Sequence, residues 1–211
     1  MSYIVSVDLT QFNTIDNTPN SLLTLCIGPM FAGKTTFLLE KINELNIKNK
    51  TFIVIKPIID IRYNTNKIVN HDGLSYDCIS LNKISDINFY DDKIVPNIVL
   101  IDEGQMFVDL HESVEKMLKL GKQVYVAGLN GDYKMKLFGQ IINLISIADN
   151  IIYKQANCSC GKLASFTART VDDNNLVLVG GADKYIPVCK SCYYKINKMK
   201  KSINELQSNI V

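Results

Sequence analysis

Arginine and net charge are both scarce in this chain of 211 residues. Arg62 and Arg169 are its only arginines among 23 basic residues, and the formal net charge at pH 7 is +2. A protein built around a nucleic-acid stripe or a membrane-surface patch has a stronger basic balance, so neither is expected as the main feature. Because a guanidinium offers phosphate a planar fork of donors that lysine lacks, each arginine raises the question of its role.

Long apolar runs are also missing. No run approaches the roughly 18 residues that a membrane helix needs. The opening stretch MSYIVSVDLTQFNTIDNTPNS lacks the basic and apolar segments of a secretory signal. With 47% hydrophobic and 21% charged residues, the composition is typical of a soluble globular protein with one sizeable domain and at most a small appendage. We therefore expect a cytoplasmic protein with an irregular extension over residues 1–20.

Apolar runs and amphipathic segments alternate through the middle of the chain. Helical spacing predicts a helix over TTFLLEKINELNIKN, and DLHESVEKMLKLGK predicts a second helix that ends at Gly121. Strands are predicted within SLLTLCIG and at residues 51–57, 98–101 and 122–129. This alternation favours an α/β fold with a parallel sheet covered by helices on both faces.

The stretch CIGPMFAGKTT contains the pattern G-x-x-x-x-G-K-[ST], met by Gly28, Gly33, Lys34 and Thr35. It follows a predicted strand and opens a predicted helix, which is the context that a phosphate loop requires. Backbone N–H groups and the helix N-terminus would hold phosphates, to which Lys34 adds a charge. The hydroxyl of Thr35 would bind Mg²⁺.

Two acidic residues follow the predicted strand at 98–101. Asp102 is the expected Mg²⁺ partner, because the carboxyl end of a buried parallel strand lies beside the phosphate loop. Glu103 would lie near the γ-phosphate and could take a proton from an attacking oxygen. These motifs predict ATP or GTP use and leave open whether water or a hydroxyl receives the phosphoryl group.

Four of the six cysteines form two close pairs, Cys158 with Cys160 and Cys189 with Cys192. Two pairs about 30 residues apart favour a structural zinc site, which takes four tetrahedral ligands. Unliganded thiols remain the alternative, because one residue rather than two separates the first pair. Cys26 is expected in the core, and isolated His71 and His111 are expected to be surface or loop residues.

The chain resembles the zinc-bearing thymidine kinases found in vertebrate cytosol, bacteria and large DNA viruses. The resemblance covers about residues 21–195. It rests on GPMFAGKTT, KPIIDIRY followed by NHDG, IDEGQMF, AGLNGDY, LFGQIINL, FTART and LVGGADKYIPVCKSCYYK. It implies a RecA-like P-loop NTPase sheet covered by helices over residues 21–150 and a small zinc-ribbon-like domain over 151–195. A tail at 196–211, partly helical or disordered, would follow.

The resemblance implies transfer of the ATP γ-phosphoryl to the 5′-hydroxyl of thymidine. Glu103 would be the general base, and Lys34 with Arg62 would stabilise charge on the phosphoryl group. Thr35, and Asp102 through water, would hold Mg²⁺. The implied ATP contacts are Gly28, Pro29, Met30, Phe31, Ala32, Gly33, Lys34, Thr35, Thr36, Asp102 and Gln105.

The same resemblance implies a nucleoside pocket, closed by a zinc-pinned lasso loop between the cysteine pairs. Its walls would be Met30, Phe107, Leu129, Tyr133 and Tyr185. The polar edge of thymine would be read by Thr167 and by backbone within 176–184, notably Leu176, Val177, Leu178, Val179, Gly180 and Gly181. Met30 is expected to face the base, while Pro29 and Phe31 brace the loop.

The chain departs from the family pattern at three positions besides its N-terminal extension. Asn157 stands where the family has its first cysteine, so we expect Cys158 to shift by one residue and serve as the fourth zinc ligand. Asn130 and Tyr133 stand where Asp and Phe are common. The hydroxyl of Tyr133 then needs a partner or water.

Two other interpretations compete with a thymidine kinase. A RecA-like ATPase with a nucleic-acid-binding zinc module predicts a basic face and arginine fingers, which two arginines argue against. The intact set of Lys34, Thr35, Arg62, Asp102 and Glu103 argues against a catalytically silent homologue. The resemblance further implies a homotetramer and feedback inhibition by thymidine triphosphate, with no nucleic-acid or membrane partner.

Overall fold

The computed structural model describes residues 21–61, 66–91, 94–173 and 175–208, and it describes side chains through residue 199. The predicted extension at 1–20 and Arg62 lie outside the described residues. The described strands are β1 (Leu22–Gly28), β2 (Ile53–Pro57), β3 (Lys67–Val69), β4 (Ser75–Asp77), β5 (Ile79–Leu81), β6 (Ile98–Ile101), β7 (Gln123–Leu129), β8 (Asn150–Tyr153), β9 (Ala156–Asn157), β10 (Leu163–Ala164), β11 (Phe166–Arg169) and β12 (Tyr185–Val188). The α-helices are α1 (Lys34–Ile47), α2 (Leu110–Lys119) and α3 (Lys190–Ser208). Shorter 3₁₀ segments lie at Ile84–Asp86, Gly104–Met106 and Ile141–Ile147.

Within the described ranges, six strands form one parallel sheet in the order β5-β2-β6-β7-β1-β8. This confirms the predicted α/β class, and the four predicted strands are the four inner members of the sheet. The carboxyl ends of β1, β2, β6 and β7 therefore meet at one edge, where the loops that follow them can share a site.

The two faces of the sheet are covered by different helices, as alternate residues along each strand show. Val54 of β2 packs with Leu38 and Ile42 of α1. Ile53 and Ile55 of β2 face the opposite side. There they belong to one core cluster with Leu110 and Val114 of α2. The predicted helices α1 and α2 thus lie on opposite faces, as expected for a parallel sheet buried on both sides.

Cys26 lies on β1 with no exposed surface. Burial raises the pKa of its thiol to about 11, although the charge of Lys34 partly opposes this. The prediction that Cys26 is a small core residue is confirmed, because a thiol of this kind packs as an apolar side chain.

Beyond the sheet, short antiparallel pairs form around the cysteines. β9 pairs with β10, β11 pairs with β12, and α3 follows directly. The predicted boundary at residue 150 coincides with the first residue of β8, which pairs with β1 in the sheet. The segment after residue 195, which the sequence left between helix and disorder, is helical through Ser208. Among the described helices, none is both long enough and apolar enough to cross a bilayer.

Candidate active site

The phosphate loop leaves β1 at Gly28 and enters α1 at Lys34. Gly33 adopts φ 76°, a left-handed conformation that glycine adopts without strain and that turns the chain into the helix. The buried Lys34 ammonium donates a hydrogen bond to the Pro29 carbonyl, 2.7 Å away, and so lies folded over the loop. Lys34, Thr35 and Thr36 line a cavity of about 610 Å³, which the loop half encloses.

Thr35 and Asp102 lie side by side on that cavity wall. The Thr35 hydroxyl donates to the Asp102 carboxylate at 3.2 Å, which joins the first turn of α1 to the end of β6. A hydroxyl and a carboxylate in this arrangement are oxygen ligands of the kind that Mg²⁺ prefers. The two residues therefore fit the predicted magnesium site.

Glu103 is held in a strained and buried position. Its φ of 51° lies in the left-handed region, which is uncommon for a residue with a side chain. The Gln105 amide donates to the Glu103 carboxylate at 2.5 Å and accepts from the Leu129 N–H at 2.9 Å. Gln105, predicted as an ATP contact, thus fixes the Glu103 side chain and anchors it to the end of β7.

A second cavity, also of about 610 Å³, adjoins the first. Glu103, Met30, Leu129 and Asp60 line both cavities. The structure brings the following predicted pocket residues together on the walls of the second: Met30, Leu129, Tyr133, Thr167, Leu176, Val177, Leu178, Val179, Gly180 and Tyr185.

Two predicted pocket residues lie elsewhere. Phe107 has no exposed surface and packs in the core beneath α2, with Leu110 and Val114, so it does not line the cavity. Its neighbour Met106 lines the cavity instead, because Phe107 ends the 3₁₀ segment Gly104–Met106 facing inwards. Gly181 is also outside the lining.

Thr167 connects the two cavities. The Met30 N–H of the phosphate loop donates to the Thr167 hydroxyl oxygen at 3.0 Å, within a buried contact that spans 137 residues of sequence. As an acceptor from Met30, this hydroxyl can still donate its own proton towards the cavity. The arrangement fits a residue that both fixes the loop and meets a polar ligand edge.

All four predicted zinc ligands come together. The Sγ atoms of Cys158, Cys160, Cys189 and Cys192 lie within 4.8 Å of one another. Two of these separations, 3.5 Å from Cys160 to Cys158 and 3.6 Å from Cys160 to Cys189, are close to the ~3.8 Å edge of a tetrahedron with ~2.3 Å Zn–S bonds. Asn157 is exposed in β9 opposite Leu163, while the buried Cys158 joins the cluster.

The electrostatics of the cluster also suit a cation. Backbone N–H groups of Cys160 and Cys189 donate to the Cys158 sulfur and lower its pKa to about 6. The neighbouring thiols raise the pKa of Cys192 to about 12. A divalent ion would lower the pKa of Cys192 again, since it stabilises the deprotonated form of every ligand.

Sequence reasoning missed several residues of the site. Lys56 and Asp60 line the phosphate-side cavity, where the Lys56 ammonium donates to the Asp60 carbonyl at 2.9 Å. A lysine inside the apolar run TFIVIKP was the available signal. His71 is exposed in a turn, as expected, and it also lines this cavity and stacks on Phe31 with ring centroids 4.7 Å apart.

Comparison with known proteins agrees with this geometry. The family model for thymidine kinase matches residues 21–193. The chain belongs to the thymidine kinase family. The matched residues include both cavities and the cysteine cluster, so the family pattern and the site coincide. Members of this family are kinases, which makes phosphoryl transfer the chemistry expected of the site.

Individual relatives from a bird and from two viruses support the family assignment. The chain is 34% identical to the cytosolic thymidine kinase of Gallus gallus, over 84% of this chain and 79% of the relative. It is 38% identical to the thymidine kinase of Fowlpox virus, over 79% and 93%. Identity to the thymidine kinase of Amsacta moorei entomopoxvirus is 40%, over 81% and 97%.

Proposed function

We propose that this protein transfers the γ-phosphoryl group of ATP to the 5′-hydroxyl of thymidine. The observation that carries the proposal is the position of Glu103, whose side chain lines both cavities. One cavity has the phosphate loop for its wall, and the other has apolar walls suited to a flat base. A carboxylate at the junction can reach a hydroxyl held between them.

Glu103 would accept the proton of the attacking 5′-hydroxyl as that oxygen bonds to the γ-phosphorus and the bond from this phosphorus to the β,γ-bridging oxygen breaks, which releases ADP. The hydrogen bond from Gln105 supports this role, because it orients the carboxylate before substrate binds. Lys34 would balance the negative charge on the phosphoryl oxygens, as cationic donors do in phosphoryl transfer. Arg62, predicted to share that task, lies outside the described residues.

Thr35 and Asp102 would hold Mg²⁺. When bound, the ion neutralises charge on the β- and γ-phosphate oxygens. The contact of 3.2 Å between the Thr35 hydroxyl and the Asp102 carboxylate supports this assignment, since it places the two oxygens side by side. The ATP half of the site would comprise residues 28–36 together with Asp102 and Gln105.

The thymine ring would lie between Met30, Leu129, Tyr133 and Tyr185. Met30, Leu129 and Tyr185 pack in one apolar cluster, with Tyr133 and Leu178 against it. The backbone of 176–180 and the Thr167 hydroxyl would bond the polar edge of the ring. Phe107 is left out of this proposal because of its place in the core.

The cysteine cluster would hold a structural zinc ion at the base of the loop that lines the nucleoside cavity. We retain the division into an ATP-binding part, 21–150, and a nucleoside-binding part, 151–195, as a proposal. The zinc would fix β9 and β10 against the start of α3, which carries Cys192. Since structural zinc contributes folding energy directly, the loop would depend on the metal.

A homotetramer, feedback inhibition by thymidine triphosphate and a cytoplasmic location complete the proposal. The resemblance to the family supports the first two, and the name of the cytosolic Gallus gallus relative supports the third. Light scattering across a dilution series tests the assembly, and a thymidine triphosphate titration of the kinase assay tests inhibition.

The decisive experiment is incubation with Mg-ATP and a panel of nucleosides, followed by detection of 5′-monophosphates. We expect thymidine, and deoxyuridine to some extent, to be phosphorylated, with ribonucleosides and purine nucleosides unreactive. ATP turnover that appears only with added DNA would overturn the proposal in favour of a nucleic-acid-dependent ATPase.

A further inference from the structure

Arg169 is buried behind the wall of the nucleoside cavity. It ends β11, and its side chain is only 1% exposed. It does not line the cavity, yet it touches several residues that do. A fully buried guanidinium is costly to remove from water, so its contacts indicate what it stabilises.

The guanidinium bonds to the backbone of the segment that follows it. Its Nη1 donates to the carbonyls of Asp173 and Asn175 at 2.8 and 2.6 Å, and its Nη2 donates to the carbonyl of Leu176 at 3.1 Å. Leu176 begins the stretch of backbone that lines the cavity. One side chain therefore holds the start of this wall from behind.

The same group fixes two aromatic walls that are distant in sequence. Nη2 donates to the Tyr185 hydroxyl at 2.8 Å, and that hydroxyl donates to the Leu178 carbonyl at 2.8 Å. The guanidinium carbon lies 3.7 Å from the centre of the Tyr133 ring and 5.3 Å from that of Tyr185. Both rings line the cavity, so the cation ties together three separate wall elements.

Lysine could not make these contacts. An ammonium group lacks the planar fork that reaches several carbonyls at fixed angles, and it cannot stack flat on an aromatic ring. The Asp173 carboxylate, 3.7 Å from Nη1, offsets the buried charge. The contacts therefore depend on the shape of the guanidinium rather than on its charge alone.

We propose that Arg169 is a positioning residue for the nucleoside, and that it preorganises Tyr133, Tyr185 and the backbone at Leu176 for the base. This inference rests on the proposed thymidine kinase activity and names a residue that acts through the pocket walls. A preorganised pocket binds more tightly, because less ordering remains to be done when the ligand enters. The larger effect is expected on the nucleoside, since Tyr133, Tyr185 and Leu176 all line the nucleoside cavity.

The test is Arg169→Lys, which keeps the charge and removes the fork and the stacking. We expect the KM for thymidine to rise at least about tenfold while the KM for ATP stays within about twofold, with one zinc per chain retained. The matched control is Thr170→Val at the next residue, whose exposed hydroxyl bonds to the Asp183 carbonyl at 3.4 Å. That variant should keep both KM values.

Tyr185→Phe provides a second variant if Arg169→Lys does not fold. It removes only the hydroxyl that joins the guanidinium to Leu178, and it should raise the KM for thymidine alone, by a smaller factor. An unchanged thymidine KM, or equal rises for thymidine and ATP, would overturn the role of Arg169. Wild-type protein that phosphorylates no thymidine would instead overturn the proposed function, so the two failures are distinguishable.

Discussion

Glu103 occupies a left-handed backbone conformation although it is not a glycine. Such strain costs about 1–3 kcal/mol and persists where surrounding structure over-determines it. Two hydrogen bonds supply that surrounding structure here. The Gln105 amide donates to the Glu103 carboxylate, and the Glu103 N–H donates to the Asp102 carboxylate at 3.0 Å. The conformation turns the carboxylate towards the junction of the two cavities.

Glu103→Gln should reduce kcat by about 10²- to 10⁴-fold, because it removes the proton acceptor and leaves the shape of the site intact. Binding of ATP and thymidine, measured by calorimetry, should stay within about threefold of wild type. Glu112→Gln on the exposed face of α2 is the control and should keep full activity. Near-normal turnover in Glu103→Gln would move the base to another residue.

Substitutions at Met30 and Phe107 form a matched pair, because Met30 lines the nucleoside cavity and Phe107 lies in the hydrophobic core. Phe107→Ala should lower the free energy of unfolding by about 3–5 kcal/mol, because it opens a cavity in the core. Met30→Ala should instead raise the thymidine KM about tenfold, as expected for loss of apolar contact worth about 1.4 kcal/mol. Chemical denaturation and steady-state kinetics on both variants check this, and a purely kinetic effect in Phe107→Ala would return that residue to the pocket.

The predictability of single residues depended on whether a local motif fixed them. The places of Lys34, Thr35 and Asp102 beside one cavity were predictable, because each residue follows a strand at a set spacing. Arg169 was noticed as rare but given no role, since its partners include Tyr133 and Tyr185, which only the tertiary fold brings to it. Phe107 was misplaced in the implied pocket because adjacent residues at a short 3₁₀ turn face opposite ways.

At the scale of elements, the turn between β9 and β10 accommodates the cysteine shift. The Cys158 N–H donates to the Lys162 carbonyl at 2.8 Å, and Gly161 adopts φ 84° to close the turn. The tight turn thereby aims two thiols, only two positions apart, at α3. The resemblance to the family led us to expect this shift, and the turn provides a physical basis for it.

Cys158→Ser should therefore lose zinc, whereas Asn157→Ala should retain one zinc per chain. The change at Cys158 removes a thiolate ligand, and structural zinc sites of this kind need all four ligands to bind tightly. Metal analysis of the purified variants gives the answer. Retention of a full equivalent of zinc by Cys158→Ser would exclude Cys158 as a ligand.

Asp109 joins α2 to the 3₁₀ segment Ile84–Asp86. Its carboxylate accepts the N–H groups of Ile84 and Ser85 at 3.2 and 2.8 Å. Burial alone would raise the pKa of this carboxyl, but the donors outweigh burial and hold the pKa below its ordinary value of 3.8. A carboxyl with a depressed pKa stabilises the fold above its unfolded-state pKa, and this contribution is lost as the pH falls through the folded-state value.

Asp109→Asn should consequently destabilise the protein by about 1 kcal/mol at pH 7, where the wild-type carboxylate is charged. The difference should shrink below pH 4 and vanish once the wild-type carboxyl is protonated. Denaturant unfolding of both proteins at several pH values measures it. A difference that does not change with pH would mean that the carboxylate charge contributes nothing.

Long, buried strands and helices could be predicted from the sequence, whereas short and partly exposed strands could not. The inner strands were recognisable as apolar runs, and α2 was recognisable by its periodicity. The edge strands β5 and β8 have three and four residues and are half exposed, so neither apolar runs nor alternation marked them. Their place in the sheet comes from pairing with β2 and β1, which local sequence does not encode.

At the scale of the whole molecule, the site is assembled from the parallel sheet and from the cysteine-bearing part. The sheet supplies Lys34, Asp102 and Glu103 at one edge, and β11 and β12 supply Thr167 and Tyr185. The sheet class followed from the alternation of strands and helices. The meeting of its edge with β11, through the bond from Met30 to Thr167, required the three-dimensional structure.

Zinc removal should affect the two substrates unequally. At a concentration of 100 times its Kd, each substrate should stabilise the zinc-loaded protein by about 2.7 kcal/mol. After chelation, the thymidine increment should largely disappear while that of Mg-ATP is mostly kept, because the proposed zinc site lies in the part of the chain that we propose binds the nucleoside. Unfolding measured with and without each substrate, at fixed free Mg²⁺, tests this, and equal loss of both increments would contradict it.

Gly28 belongs to the phosphate loop and also packs closely against another segment of the chain, and a mutational scan of activity would not separate these two roles. A Cβ atom there would collide with the Lys154 carbonyl, in the short connection between β8 and β9, quite apart from any nucleotide. The Lys154 N–H also donates to the Ile27 carbonyl at 2.8 Å, which fixes this connection beside the loop. If substitutions at Gly28 are not tolerated, the cause can therefore be impaired folding as much as impaired ATP binding. A folding assay on Gly28→Ala is needed before its loss of activity is attributed to catalysis.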